Sequence, residues 1–186
     1  MRGRSRGPFG WLTLLALGVA LGCAATAPDG TSDGSPDAVA EIDPPAIDGA
    51  FAPEVWTDDA GLLMTWLEPL GEERSDGHRV RFSRLEGGGW SAPSTVVEGT
   101  DLFANWADFP SPARASDGTI YVHWLAKTAP DTYAYSIFLA RSADGGASWQ
   151  PVGTLNDDAT HTEHGFVSWV REGDGLRAFW LYVRDM

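Results

Sequence analysis

The sequence predicts an all-β chain built of repeated four-stranded antiparallel units, and three observations carry that expectation. Gly61, Gly118 and Gly175 recur at a constant interval of 57, and each opens a tryptophan-bearing run: GLLMTWLEP, GTIYVHWLAK and GLRAFWLYV. A turn signal precedes each run, as Asp58-Asp59-Ala60-Gly61, Ser116-Asp117-Gly118 and Gly173-Asp174-Gly175. No segment sustains a helical hydrophobic period, and Gly and Pro punctuate the chain throughout.

Each unit then reads in order. An opening strand comes first, marked by Phe109-Pro110-Ser111 and, one interval on, by Phe166-Val167-Ser168. The tight turn and the tryptophan run follow, with Trp66, Trp124 and Trp180 in register and read as core. A loop leads to a third strand, RVRFSR (79–84) or SIFLARS (136–142), and a glycine-rich turn leads to a fourth beside Trp90 or Trp149. Four antiparallel strands repeated at such an interval describe a β-propeller blade, whereas a β-sandwich, the alternative, needs no such period. The stretch 51–186 holds about two and a half blades: 51–104, 105–160 and an incomplete 161–186. Closed propellers have about four to eight. The expectation is a partial propeller with an open edge, either a fragment of a longer protein or one that needs other blades or chains to close.

The front of the chain has a different character. Arg2, Arg4 and Arg6 precede an uncharged run, WLTLLALGVAL (11–21), and then Gly22-Cys23-Ala24-Ala25. A basic start, a short apolar stretch and small residues mark an export signal over 1–22. Eleven residues rise only about 16 Å as a helix, too little to cross a bilayer. Cys23 sits in a context that resembles the lipobox of bacterial lipoproteins, which implies lipidation at its thiol and a membrane anchor. Cleavage after Ala25-Thr26-Ala27 is the rival reading. The stretch 23–50 carries four prolines, six acidic residues and neither basic nor aromatic side chains, so it reads as a disordered linker.

Charge excludes some functions. The chain has 26 acidic and 13 basic residues, and removal of the signal takes Arg2, Arg4 and Arg6 from the basic side. Such a surface does not neutralise phosphates, so no nucleic-acid partner is expected, and anionic lipid headgroups repel it. One cysteine rules out a disulfide scaffold. No phosphate loop, dinucleotide fingerprint or G-x-S-x-G occurs, and no cofactor is expected.

Ser142-Ala143-Asp144-Gly145-Gly146-Ala147-Ser148-Trp149 matches S-x-D-x-G-x-x-W, the Asp box, at every defined position. A hairpin turn needs these residue types: Asp144 accepts backbone N–H bonds, the glycines take positive φ, and Trp149 packs on neighbouring strands. Ser83, Gly87 and Trp90 keep the spacing of a second, worn copy, with Leu85 in place of Asp. On these residues the chain resembles the sialidase-like (BNR repeat) propellers, over about 51–186. The resemblance implies an exo-α-sialidase-like, glycan-processing protein exported to the periplasmic or cell-surface side. It also implies that Ser142, Asp144, Gly146 and Trp149 are structural.

The sialidase-like family uses three arginines on the sugar carboxylate, an Asp acid/base, and a Tyr nucleophile assisted by Glu. Here the slot of the first arginine reads Ala107-Asp108-Phe109-Pro110, so Asp108 stands where that cation belongs and would repel a carboxylate ligand. Asp108 and Asp131, the one carboxylate in the loop before the third strand, are the catalytic candidates. The departure leaves two alternatives to a sialidase: a non-catalytic propeller binding glycan or protein at the cell surface, or an inactive fragment. Asn105, Trp106, Asp108, Glu163 and His164, at the blade entrances, are the ligand-binding candidates. An aromatic platform with carboxylate acceptors suits a neutral polyhydroxylated ligand; hairpin polar groups satisfying local backbone are the equal alternative. His161, Glu163 and His164 do not match a metal-binding spacing, and no metal is expected. His123, between Val122 and Trp124, reads as a core histidine.

Overall fold

The computed structural model describes residues 41–183. The export signal, Cys23 and the linker up to residue 40 lie outside the described residues. The described chain is all-β, with eleven strands in three antiparallel sheets and one short 3-10 turn, Arg74–Asp76.

The first sheet contains β1 (Phe51–Asp58), β2 (Gly61–Pro69), β3 (His78–Glu86), β4 (Gly89–Trp90) and β5 (Ser94–Gly99). It runs β1-β2-β3, and the far side of β3 pairs with both β5 and the two-residue β4. The second sheet is β6 (Ser111–Arg114), β7 (Ile120–Lys127), β8 (Tyr135–Ser142) and β9 (Gln150–Thr154), in sequential order. The third is the hairpin β10 (His164–Glu172) and β11 (Gly175–Tyr182). The strands therefore recur with the sequence repeat: β3 begins at His78, and β8 begins one full interval later at Tyr135.

Two apolar layers hold the sheets together. Leu63, Leu67, Val80 and Phe82 of the first sheet meet Ile120, Val122, Trp124 and Ala140 of the second. Leu125, Tyr135 and Ile137, from the other face of the second sheet, meet Val167 and Trp180 of the third. Alternation along each strand explains how one sheet serves two layers: Trp124 points to one neighbour and Leu125 to the other. Trp66 is only 1% exposed and Trp124 is buried, while Trp180 is half-buried against the second layer. Trp66 and Trp124 are core as read, whereas Trp180 packs at the margin of the second layer and stays partly open.

Polar bonds cross the same interfaces. Thr65 donates its hydroxyl to the Pro110 carbonyl, and Asp58 accepts from Arg114 and Arg171 at 2.9 Å each. The stretch 44–50, the end of what reads as linker, runs against the first sheet: Pro44, Ala46 and Ala50 line a small cleft with Met64 and Trp66. No helix among the described residues is long and apolar enough to cross a membrane.

Candidate functional site

The stretch 101–104 passes from the first sheet along β7, with Lys127 N–H donating to the Asp101 carbonyl and Phe103 N–H to that of Leu125. This pins the start of the next loop. Asn105 Oδ1 then accepts from the amides of Ala107 (2.6 Å) and Asp108 (2.7 Å), a side-chain-closed turn. The turn leaves Trp106 at its apex, 87% exposed, and carries Asp108 inward, where it is buried.

Asp108 reaches the third sheet. Its Oδ1 accepts the Phe166 amide, and a Cβ on Gly165 would lie 2.8 Å from that oxygen, so the approach depends on glycine. Phe166 has φ +57 and sits in a β-bulge between Gly165 and Ser168. Ala52, two repeats earlier, has φ +53 in a bulge between Phe51 and Glu54. The repeat therefore extends to backbone conformations that non-glycine residues seldom adopt, and such bulges re-aim the chain at strand ends. Burial raises the Asp108 pKa from its ordinary value; bonds from Phe166 and Asn105 oppose the shift, and the charge of Glu163 adds to it.

A cleft of about 270 Å³ opens beside Asp108. Its walls include Glu54 of β1, Ser111 of β6, and Phe166 and Ser168 of β10. Glu54, Ser111 and Ser168 occupy the same place in three successive repeats. Burial raises the Glu54 pKa as well. No arginine or lysine lines this cleft among the described residues. Glu54 escaped the sequence reading because no motif surrounds it; its spacing to Ser111 and Ser168 was the signal.

A second cleft, about 490 Å³, is lined by Asp131, Tyr133, His161 and Glu163 among others. The two catalytic candidates therefore line different clefts. Asp131 is exposed, and its carbonyl accepts from Lys127 Nζ at 2.5 Å. Glu163 accepts the Tyr135 hydroxyl at 2.7 Å, and a parallel bridge joins the two residues' backbones. Tyr135, which the sequence reading did not single out, stacks on Phe103 with ring centroids 4.1 Å apart. Burial, then the Glu163 carboxylate, drives its pKa well above the usual phenol range.

His164 lies apart from the ligand set in which the sequence placed it. It is fully buried and lines neither cleft. Its Nδ1 lies 3.2 Å and 3.0 Å from the carbonyls of Tyr135 and Thr162, its Nε2 lies 3.1 Å from Asp158, and its ring stacks on Tyr182. His161 and Glu163 precede β10, so they share no strand face. His123 is buried and accepts the Trp169 indole N–H at 3.1 Å, and desolvation pulls its pKa down to about 3, which keeps it neutral. Among the described residues, no three His, Cys, Asp or Glu are grouped to hold a metal ion.

The Asp-box residues lie in the β8–β9 hairpin. Asp144 accepts the Ser148 amide at 2.9 Å and the Ser142 hydroxyl at 2.7 Å, and bonds from the Ser148 and Ser142 hydroxyls hold its pKa far below the usual value. Ser142 Oγ also accepts the Gly146 amide, and Trp149 meets Phe82 edge-to-face at 5.1 Å. These side chains build the turn and fasten it to the first sheet. No family model matches the chain, and no curated protein matches it.

Proposed function

We propose that the three sheets are successive blades of a sialidase-like Asp-box β-propeller and that the cleft beside Asp108 binds a neutral, polyhydroxylated glycan. The observation that carries this reading is the convergence of Glu54, Ser111 and Ser168, equivalent positions of three repeats, on one cleft. A propeller brings equivalent positions of its blades together around a central channel. Carboxyl groups and hydroxyls there exchange hydrogen bonds with sugar hydroxyls, and Trp106, exposed at the apex of the Asp108 loop and outside the cleft lining, is the aromatic face available to a glycan that extends beyond the cleft. With two carboxyl groups and no basic side chain in its lining, the cleft disfavours a sialic acid carboxylate. The reading includes export and lipid anchoring at Cys23, supported by the basic start, short apolar run and small residues around that cysteine.

Calorimetric titration of the full chain with neutral and sialylated oligosaccharides tests the site. Binding of a neutral glycan, weakened at least tenfold by Asp108→Asn, is expected; a panel of neutral glycans that all fail to bind sinks the reading. Labelled palmitate should mark the wild type and not Cys23→Ser.

Glycoside hydrolysis, the activity the sialidase-like resemblance implies, is tested alongside: sugar binding without release of a fluorogenic aglycone leaves the binding role alone.

A further inference from the structure

We propose that the cleft beside Asp108 and the cleft lined by Asp131 and Glu163 are two subsites of one groove, occupied by a neutral oligosaccharide that crosses from one to the other. This rests on the glycan reading above and adds to it the length and path of the sugar chain.

The cleft beside Asp108 is small. Ligand pockets commonly enclose about 300–1,000 Å³, so its volume of about 270 Å³ suits only the end of a longer ligand. The second cleft adds about 490 Å³. It opens between the β7–β8 loop, with Asp131 and Tyr133, and the loop that enters β10, with His161 and Glu163. Both loops lie wholly within the described residues.

One segment walls both clefts. Glu163 lines the second and Phe166 the first, and three residues of chain reach no further than about 10 Å. His164, between them, is buried and keeps its ring out of both. Burial leads the upward pKa shifts of Asp108 and Tyr135, and Glu163 adds to each, so charged groups of the two clefts act on the same neighbours.

The ground between the clefts is braced. The Tyr135 hydroxyl donates to Glu163, and the Tyr135 ring stacks on Phe103, which leads into the Asn105–Asp108 turn. Lys127 Nζ lies 5.1 Å from the Phe103 ring centroid and donates to the carbonyls of Asp131 (2.5 Å) and Thr132 (2.6 Å), which ties the β7–β8 loop to the same stack. That ammonium is thereby engaged, and no arginine or lysine lines either cleft among the described residues. An anionic sugar finds no cation in either subsite, whereas hydroxyls find carboxylates in both. Two aromatic rings stay exposed on these braced loops, Trp106 on one and Tyr133 on the other. Each offers a preorganised face to a sugar ring that leaves the carboxylates for the next subsite.

Calorimetric titration of the full chain with cello-, N-acetylchito-, manno- and xylo-oligosaccharides, each from monosaccharide to pentasaccharide, reads the length of the site. At least one series should gain tenfold or more in affinity between monosaccharide and trisaccharide. Tyr133→Ala or Asp131→Ala, both at exposed positions, should cut that gain at least threefold. A gain unchanged in both variants overturns the proposal. A series that binds with flat affinity at every length also overturns it, and leaves the Asp108 cleft as a single site. Failure of every member to bind overturns the glycan reading together with it.

Discussion

Asp58 and Arg171 are remote in the chain and lie 2.9 Å apart in space. Asp58 closes the β1–β2 turn of the first sheet, accepts Arg114 of the second on its other oxygen, and so ties all three sheets through one carboxylate. Arg114 and Arg171 are themselves one repeat apart, and Arg171 also donates to the Arg114 carbonyl at 2.8 Å. Repeat-equivalent arginines thus share one anion. Burial of Asp58 acts to raise its pKa, but bonds from Trp56 and Ala60 and the two cations outweigh it and hold it low.

Asp58→Ala should therefore destabilise the fold by about 2 kcal/mol, because the half-buried Arg114 loses its partner. The loss should be largest above about pH 4, where the unfolded-state carboxylate is also ionised, and should fade as pH falls through the lower native value. Urea unfolding at pH 7 and pH 3 measures both. Equal effects at the two pH values would remove the charge from the explanation.

Gly146 and Gly118 give a matched contrast. Both have positive φ, +92 and +86, but a Cβ on Gly146 would overlap the Phe82 ring, whereas Gly118 faces open space. Gly118→Ala should cost about 1 kcal/mol from the backbone alone, and Gly146→Ala should cost at least about 3 kcal/mol as the clash is added. Similar midpoints for the two variants in denaturant would contradict the packing described for the Asp-box turn.

His123 makes a prediction about acid. Its pKa falls from the ordinary value to about 3 on folding, so between roughly pH 6.5 and 3 the unfolded chain binds a proton that the native protein refuses. Stability contributed by the neutral ring is complete above that window and is lost as pH falls through it. The slope is about 1.4 kcal/mol per pH unit at full effect. His123→Gln keeps an acceptor for the Trp169 indole and should flatten stability against pH between pH 6 and 5 relative to wild type. Parallel curves would show that His123 does not titrate differently on unfolding.

Trp106 separates binding from folding. With its side chain almost wholly in solvent, Trp106→Ala should leave the unfolding midpoint unchanged within about 0.5 kcal/mol. If the ring is the platform of the glycan site, the same variant should lose about tenfold in affinity, ~1.4 kcal/mol. Retained affinity would confine the site to the carboxyl groups and serines of the cleft.

Much of the fold was legible because its signals are local and periodic. The glycine-marked turns before β2, β7 and β11 and the alternation along the strands each declare themselves within a short stretch of chain. The constant repeat interval then identified equivalent strands before their pairing was known. The candidate site was legible only in part. Asn105, Trp106 and Asp108 form one loop, and a single short segment revealed them. Glu54 and Tyr135 carry no local signature: they matter through Ser111, Ser168 and Glu163, all remote from them in sequence. His164 reads as a polar loop residue until the third sheet buries it beneath Tyr182.

The sequence by itself determined the strand pattern, the glycine-rich turn between β8 and β9 and the net acidic charge of the chain. Only the tertiary structure decided that Asp108 meets the Phe166 amide, that Asp108 and Asp131 line separate clefts, and that one aspartate serves two arginines. Turn and strand preferences act between neighbours along the chain, whereas desolvation and ion pairing depend on which sheet faces lie against each other. That choice is made when alternate faces of the second sheet are buried against the first and the third.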